Sequence, residues 1–135
     1  MQSLKALEIS FVDSIADIGA YAWNELAGTD NPFTRYEFLY ALEKTNCTNE
    51  ATGWKPQHIA VHAVEKGERI LEAVMPLYEK TNSYGEYVFD WAWANAYQGN
   101  GLNYYPKLLT LLSQVRQLCT FYPQLRQSSV PTRRR

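Results

Sequence analysis

A period-two run followed, after a short charged turn, by a second apolar run constrains this chain most. His58-Ile59-Ala60-Val61-His62-Ala63-Val64 alternates in the manner of a strand with one buried face, Glu65-Lys66-Gly67-Glu68 reads as a turn, and a second apolar run covers Ile70 to Tyr78. Together they predict a β-hairpin, and with it an antiparallel sheet that some other layer must cover on at least one face. Pro76, which lacks a backbone N–H, predicts a bulge or an edge position in the second strand.

The segments before the hairpin supply that layer. Residues from about Leu4 to Val12 alternate loosely and predict a first strand. Asp13 or Ser14 is placed to cap a helix in which Ile15, Ile18, Ala22, Trp23 and Leu26 recur at helical spacing, with Gly28 at its C-terminal cap. A second helix is predicted over about residues 35–45, with Phe38, Leu39 and Leu42 facing inward. Thr34-Arg35-Tyr36-Glu37 fits a capping box, and Phe33 and Phe38 flank it at staple positions. Residues 46–56, interrupted by Gly53 and Pro56, read as a loop carrying Trp54. The order strand, helix, helix, strand, strand predicts an α+β fold with a mainly antiparallel sheet.

At 135 residues with 46% hydrophobic content the chain suits a single hydrophobic core. The apolar stretches are broken by charge well before the roughly 20 residues that span a bilayer, and the N-terminus carries no export pattern, so a cytoplasmic location is expected. Cys47 and Cys119 stand alone, which predicts free thiols. His58 and His62 lie too far apart along a strand to share a ligand easily and no third ligand is evident, so no metal site is expected. The net charge of −1 hides an asymmetry: residues 110–135 hold Arg116, Arg126, Arg133, Arg134 and Arg135, while all 14 acidic residues precede them. Leu108, Leu109, Leu111, Leu112, Val115 and Leu118 fit an amphipathic helix, which Pro123 and Pro131 then break off. The contrast divides the chain into residues 1–109 and a basic tail at 110–135. The terminal arginines read as a solvated end, with no clear nucleic-acid site.

The most unusual stretch is Ser83-Tyr84-Gly85-Glu86-Tyr87-Val88-Phe89-Asp90-Trp91-Ala92-Trp93-Ala94-Asn95-Ala96-Tyr97, followed by Gly101-Leu102-Asn103-Tyr104-Tyr105-Pro106-Lys107-Leu108. Glu86 and Asp90 sit four apart and share one face of a helix or a strand. A catalytic carboxylate pair, helix capping by Asp90, and solvent or ion-pair roles are all open to them. Tyr97, Tyr104 and Tyr105 are chemically able to relay a proton or donate to an oxyanion. Tyr84, Trp91, Trp93, Tyr104 and Tyr105 offer a platform that stacks on a sugar, peptide or base, with core packing as the alternative. Lys107 is placed to meet a phosphate or carboxylate, or to sit on the surface. Gly99-Asn100-Gly101 follows a possible helix instead of opening one, so it reads as a plain turn and not as a phosphate cradle.

This stretch resembles the signature of the FemAB-like family of peptidoglycan biosynthesis or recognition proteins, grouped with the GNAT N-acetyltransferases. Trp23-Asn24-Glu25-Leu26, Asn31-Pro32-Phe33 with Glu37-Phe38-Leu39, and Thr52-Gly53-Trp54-Lys55-Pro56-Gln57-His58 resemble the same family in the same order. The resemblance runs from about Ile9 to Leu109 and covers the opening part of proteins that are much longer. It implies the opening half of a GNAT-like domain, and transfer of an acyl or aminoacyl group to a peptide-like or small-molecule amine of a cell-wall-related acceptor. The donor it implies for the full-length bacterial protein is acyl-CoA or aminoacyl-tRNA. The tail after Lys107-Leu108 does not match the family, which suggests a truncated or frameshifted product with little activity alone, and unfinished sheet edges that invite self-association. A non-catalytic module that recognises peptidoglycan or peptide is the alternative.

Overall fold

The computed structural model describes residues 6–86 and 90–110. The predicted hairpin is present: β3 (His58–Glu65) runs antiparallel to β4 (Glu68–Met75). The two residues of its turn, Lys66 and Gly67, both have positive φ, 51° and 87°, the combination that matches the twist of the flanking strands. The hairpin is longer than its alternation suggests. Trp54–Pro56 forms a short strand, β2, paired with β5 (Leu77–Lys80), so the predicted loop ends at Gly53. The Gln57 N–H donates to the Leu77 carbonyl at 2.8 Å and ties the two halves of the hairpin together.

Pro76 marks the junction between β4 and β5. The predicted bulge is elsewhere, between Val61 and His62 of β3, where Glu72 is the extra residue opposite. At Pro76 the ladder lacks a donor, and there the long hairpin passes from one sheet into the other. One sheet has the order β1-β3-β4, with β1 at Ala6–Val12. The other has the order β2-β5-β6, with β6 at Lys107–Thr110. Leu108 and Leu109 are therefore in a strand and not in the predicted helix. The remainder of that helix and of the basic tail lies outside the described residues.

The first predicted helix is divided. Ser14 caps a 3₁₀ turn at Ile15–Asp17, accepting from the Ala16 amide. Gly19, at φ 88°, then breaks the chain before α1 (Ala20–Ala27) begins, and Gly28 ends it at φ 75°. The second helix, α2, spans Tyr36–Lys44, but the capping box does not form. The Thr34 hydroxyl donates to the Asn31 carbonyl, and Asn24 of α1 serves α2 instead: its Oδ1 accepts from the Tyr36 amide at 3.0 Å and its Nδ2 donates to Glu37. Phe33 and Phe38 do meet edge to face, with centroids 5.4 Å apart. Of the three side chains expected to face inward from α2, only Leu39 is fully buried; Phe38 is exposed.

The core forms where α1 and α2 cover one face of β1-β3-β4. Ile15, Trp23, Leu39 and Val74 are fully buried, with Ile18, Leu26 and Leu71 packed beside them. A polar link fastens this layer to the hairpin. The Glu43 carboxylate of α2 accepts from the Ser14 hydroxyl (2.7 Å) and the Ile15 amide (3.1 Å), and lies 2.8 Å from Nε2 of the fully buried His58. Because the Leu77 amide donates to Nδ1 of the same ring, Nε2 carries the proton that goes to Glu43. Burial acts to raise the Glu43 pKa, but its bonds to His58, Ser14 and Ile15 outweigh that and lower it.

Candidate functional site

The far end of the second sheet brings the chemistry-bearing residues together. Its register sets Trp54 of β2 opposite Lys80 of β5, and Lys80 opposite Lys107 of β6. Two lysines directly across a ladder repel each other, and Lys80 is fully buried, so this row needs negative partners. The segment that leaves β5 supplies them: Glu86 follows the turn at Tyr84-Gly85, and Asp90 precedes α3 (Trp91–Gly99).

Lys107 has three N–H donors and three acceptors in reach. It bonds Glu86 Oε2 at 2.8 Å, Ser83 Oγ at 3.1 Å and Asp90 Oδ2. Asp90 also accepts from the Ser83 hydroxyl and from the Tyr104 phenol at 2.5 Å. With its proton on Asp90, Ser83 accepts from the Tyr105 phenol at 2.5 Å. Lys80 donates to the Tyr84 carbonyl at 2.8 Å and lies 3.7 Å from the centroid of the Trp54 ring. Trp54 in turn donates from Nε1 to the same carbonyl at 3.1 Å. The indole also lies against Gly85, where a Cβ would come within 3.3 Å of it, so this turn requires glycine both for space and for its φ of 77°. Glu86 Oε1 is buried, 3.8 Å from Lys80, with no hydrogen-bond partner among the described residues.

The charges tune one another. Burial acts to raise the Asp90 pKa, but hydrogen bonds from Lys107, Ser83 and Tyr104 hold the carboxyl well below the usual carboxylate range. The bond to Asp90, with burial added, pushes the Tyr104 phenol up to about 12. Lys107 is raised: burial opposes its charge, and Asp90 and Glu86 more than compensate. Lys80 goes the other way, lowered first by burial and further by Lys107, against the pull of Glu86.

Of the residues singled out in the sequence, Glu86, Asp90, Tyr104, Tyr105 and Lys107 meet in this cluster. Asp90 does occupy the cap position of α3, but its side chain makes no capping bond and is spent on the cluster. Tyr97 joins only through its ring, 5.2 Å from that of Tyr104. Tyr84 contributes its carbonyl while its ring is 70% exposed, and Trp91 and Trp93 are 53% and 66% exposed. No residue of α3 is buried, so these aromatics are exposed and not packed in a core. Tyr87 and Phe89 of the same block lie outside the described residues. Lys80, Ser83 and Trp54 were not anticipated as site residues; the alternation of Tyr78 with Lys80 was the available signal, since it sets both on one face.

The sequence matches a protein family described as peptidoglycan biosynthesis/recognition over residues 14–113, a span that contains every member of the cluster. The chain belongs to the FemAB-like family. Comparison with curated proteins and with solved structures gave no match. Within this FemAB-like chain, β1 lies ahead of the matched span, whereas the buried core residues Ile15, Trp23, Leu39 and Val74 and the whole Lys107 cluster fall inside it. Among the described residues no helix is long and apolar enough to cross a membrane.

Proposed function

We propose that this FemAB-like chain recognises a peptidoglycan-type ligand, glycan or stem peptide, on the aromatic surface formed by α3 and the turn before it. One observation carries this reading: Tyr84, Trp91, Trp93 and Tyr97 are all at least 40% exposed, on a segment anchored from below by the Lys107 cluster. Aromatic rings held toward solvent offer apolar faces to sugar rings and polar tips to amides. Lys107 has its donors committed within the chain, so its part is to position the segment, as is that of Tyr104 and Tyr105. Titrating the protein with a disaccharide-peptide muropeptide while following tryptophan emission tests the proposal. Saturable quenching that weakens at least tenfold in Trp91→Ala and Trp93→Ala supports it, and no response with either glycan or peptide portions rejects it.

A second reading, that the chain is the acceptor-binding part of a GNAT-like N-acyltransferase using acyl-CoA or aminoacyl-tRNA, draws support from Glu86. Its Oε1, buried beside Lys80, is the one carboxylate oxygen of the cluster without a hydrogen bond among the described residues, the kind of acceptor that general-base catalysis needs. Asp90 is less suited to act as a base, because its oxygens are already bonded and its basicity is suppressed. Acyl-CoA-dependent acylation of a muropeptide amine that is lost in Glu86→Gln would establish this reading; binding without transfer would leave the recognition module.

A further inference from the structure

β1 is an edge strand with few of the devices that normally protect an edge, Glu8 being its one charged residue. Among the described residues no strand lies beyond it. Ala6–Val12 contains no proline and no lysine, and its pairing with β3 runs unbroken from Ala6↔Val64 to Val12↔His58, with no bulge to twist it away. Its side chains on the face away from the helices, Leu7, Ile9 and Phe11, are 63%, 64% and 57% exposed. They continue an apolar sheet face whose next row includes Ile59 and Val61 and whose far row includes Ile70, itself 48% exposed.

We infer that β1 pairs antiparallel with β1 of a second copy of this chain, about a twofold axis at Ile9. The strand's own sequence selects the partner and the register. A twofold perpendicular to the sheet must set residues of the same face opposite each other, which allows axes at Glu8, Ile9 or Ser10. The axis at Ile9 pairs all seven residues of the strand, and either neighbour loses two of those pairs. It opposes Leu7 with Phe11 of the partner subunit and Ile9 with Ile9 of the partner subunit, apolar cross-strand pairs on one face. It also sets Glu8 against Ser10 of the partner subunit, where an axis at Glu8 would set two carboxylates together. Glu8 already has a cation in its own chain, Arg69 Nε at 3.0 Å, so the contact buries no unpaired charge. The result is a six-stranded sheet with one continuous apolar face.

The register makes the test specific. In the 135-residue chain with Cys47→Ser and Cys119→Ser, Ile9→Cys should form a disulfide-linked dimer under mild oxidation, because opposed residues of antiparallel strands lie about 4.5–5.5 Å apart. Leu7→Cys and Phe11→Cys should each stay monomeric alone and cross-link only when mixed, since Leu7 and Leu7 of the partner subunit would be about 13 Å apart. Light scattering on the unmodified chain should give twice the 15.6 kDa chain mass at high concentration, reverting to one in Ile9→Lys with unchanged circular dichroism. Leu7→Cys linking to itself as readily as to Phe11→Cys would mean that two sheets stack face to face, and a monomer at all concentrations would mean that the edge stays free. Either result overturns the inference.

Discussion

Replacing Lys107 with methionine (K107M) keeps a long apolar stem and removes the charge that holds Glu86, Asp90 and Ser83 together. Truncating one partner of a buried, bonded ion pair costs about 3–5 kcal/mol, chiefly because the other charge is left uncompensated. The Asp90 side chain retains 19% exposure and keeps its bonds from Ser83 and Tyr104, which places the expected loss at the lower end, about 3 kcal/mol. Urea unfolding followed by tryptophan emission reads this directly. With a slope of about 1–1.5 kcal/mol/M, the midpoint should fall by about 2–3 M. The pH dependence has a definite sign. Asp90 is depressed in the folded state, so its contribution is complete above the unfolded carboxyl pKa of about 3.9 and is lost as pH falls below it. The gap between the unmodified chain and K107M should therefore be widest near neutrality and narrow below about pH 4. A midpoint shift under about 0.5 M, or a gap that stays constant into acid, would refute the account of Lys107 as the centre of a coupled network.

Three further outcomes follow from the same geometry. Tyr104→Phe should remove one late-ionising phenol, near 12, from the alkaline absorbance titration. Since that phenol's pKa is raised on folding, its stabilising contribution is present below about pH 10 and lost as pH rises beyond it, so Tyr104→Phe should flatten the alkaline fall in stability. Glu43→Ala takes the acceptor from Ser14, Ile15 and His58 together and should cost about 2–4 kcal/mol in urea unfolding, with Glu43→Gln recovering part of it. Gly67→Ala meets nothing within 4 Å but imposes φ 87° on a residue with a Cβ, so a loss of about 1–2 kcal/mol from backbone strain alone is expected in thermal or urea unfolding.

What the sequence disclosed about the fold is what local interactions decide. The hairpin follows from alternation on either side of a Lys-Gly turn, and the ring contact of Phe33 with Phe38 follows from spacing along one segment. The capping box failed because a non-local group displaced it: Asn24, on another helix, reaches the Tyr36 amide with one end of its side-chain amide and Glu37 with the other. No property of Thr34-Arg35-Tyr36-Glu37 announces that competitor. The first helix divides for a reason that was visible, since Gly19 interrupts the apolar periodicity, but periodicity alone does not state that the glycine adopts positive φ.

The site divides along the same line. Glu86, Asp90, Tyr104, Tyr105 and Lys107 could be chosen because their chemistry is evident residue by residue. Lys80 could not, because its importance comes from the row Trp54, Lys80, Lys107 across three strands, and that row exists only if Trp54–Pro56 is a strand. Gly53 and Pro56 argued for a loop there. Proline is nevertheless tolerated where a strand borders a single neighbour, since its missing N–H then costs no ladder bond on the open side, and β2 is such an edge. Once that edge strand is in place, the rest is forced. The register sets Lys80 beside Lys107, with the Lys80 ammonium against the Trp54 indole, and the chain that continues from β5 must return two carboxylates to neutralise the two lysines. Doing so fixes the turn at Gly85 and the start of α3, the helix on which Trp91 and Trp93 are exposed. The exposure of these aromatics thus follows from how buried charge is satisfied beside them, which is why disrupting Lys107 should disturb the proposed ligand recognition without touching a ligand.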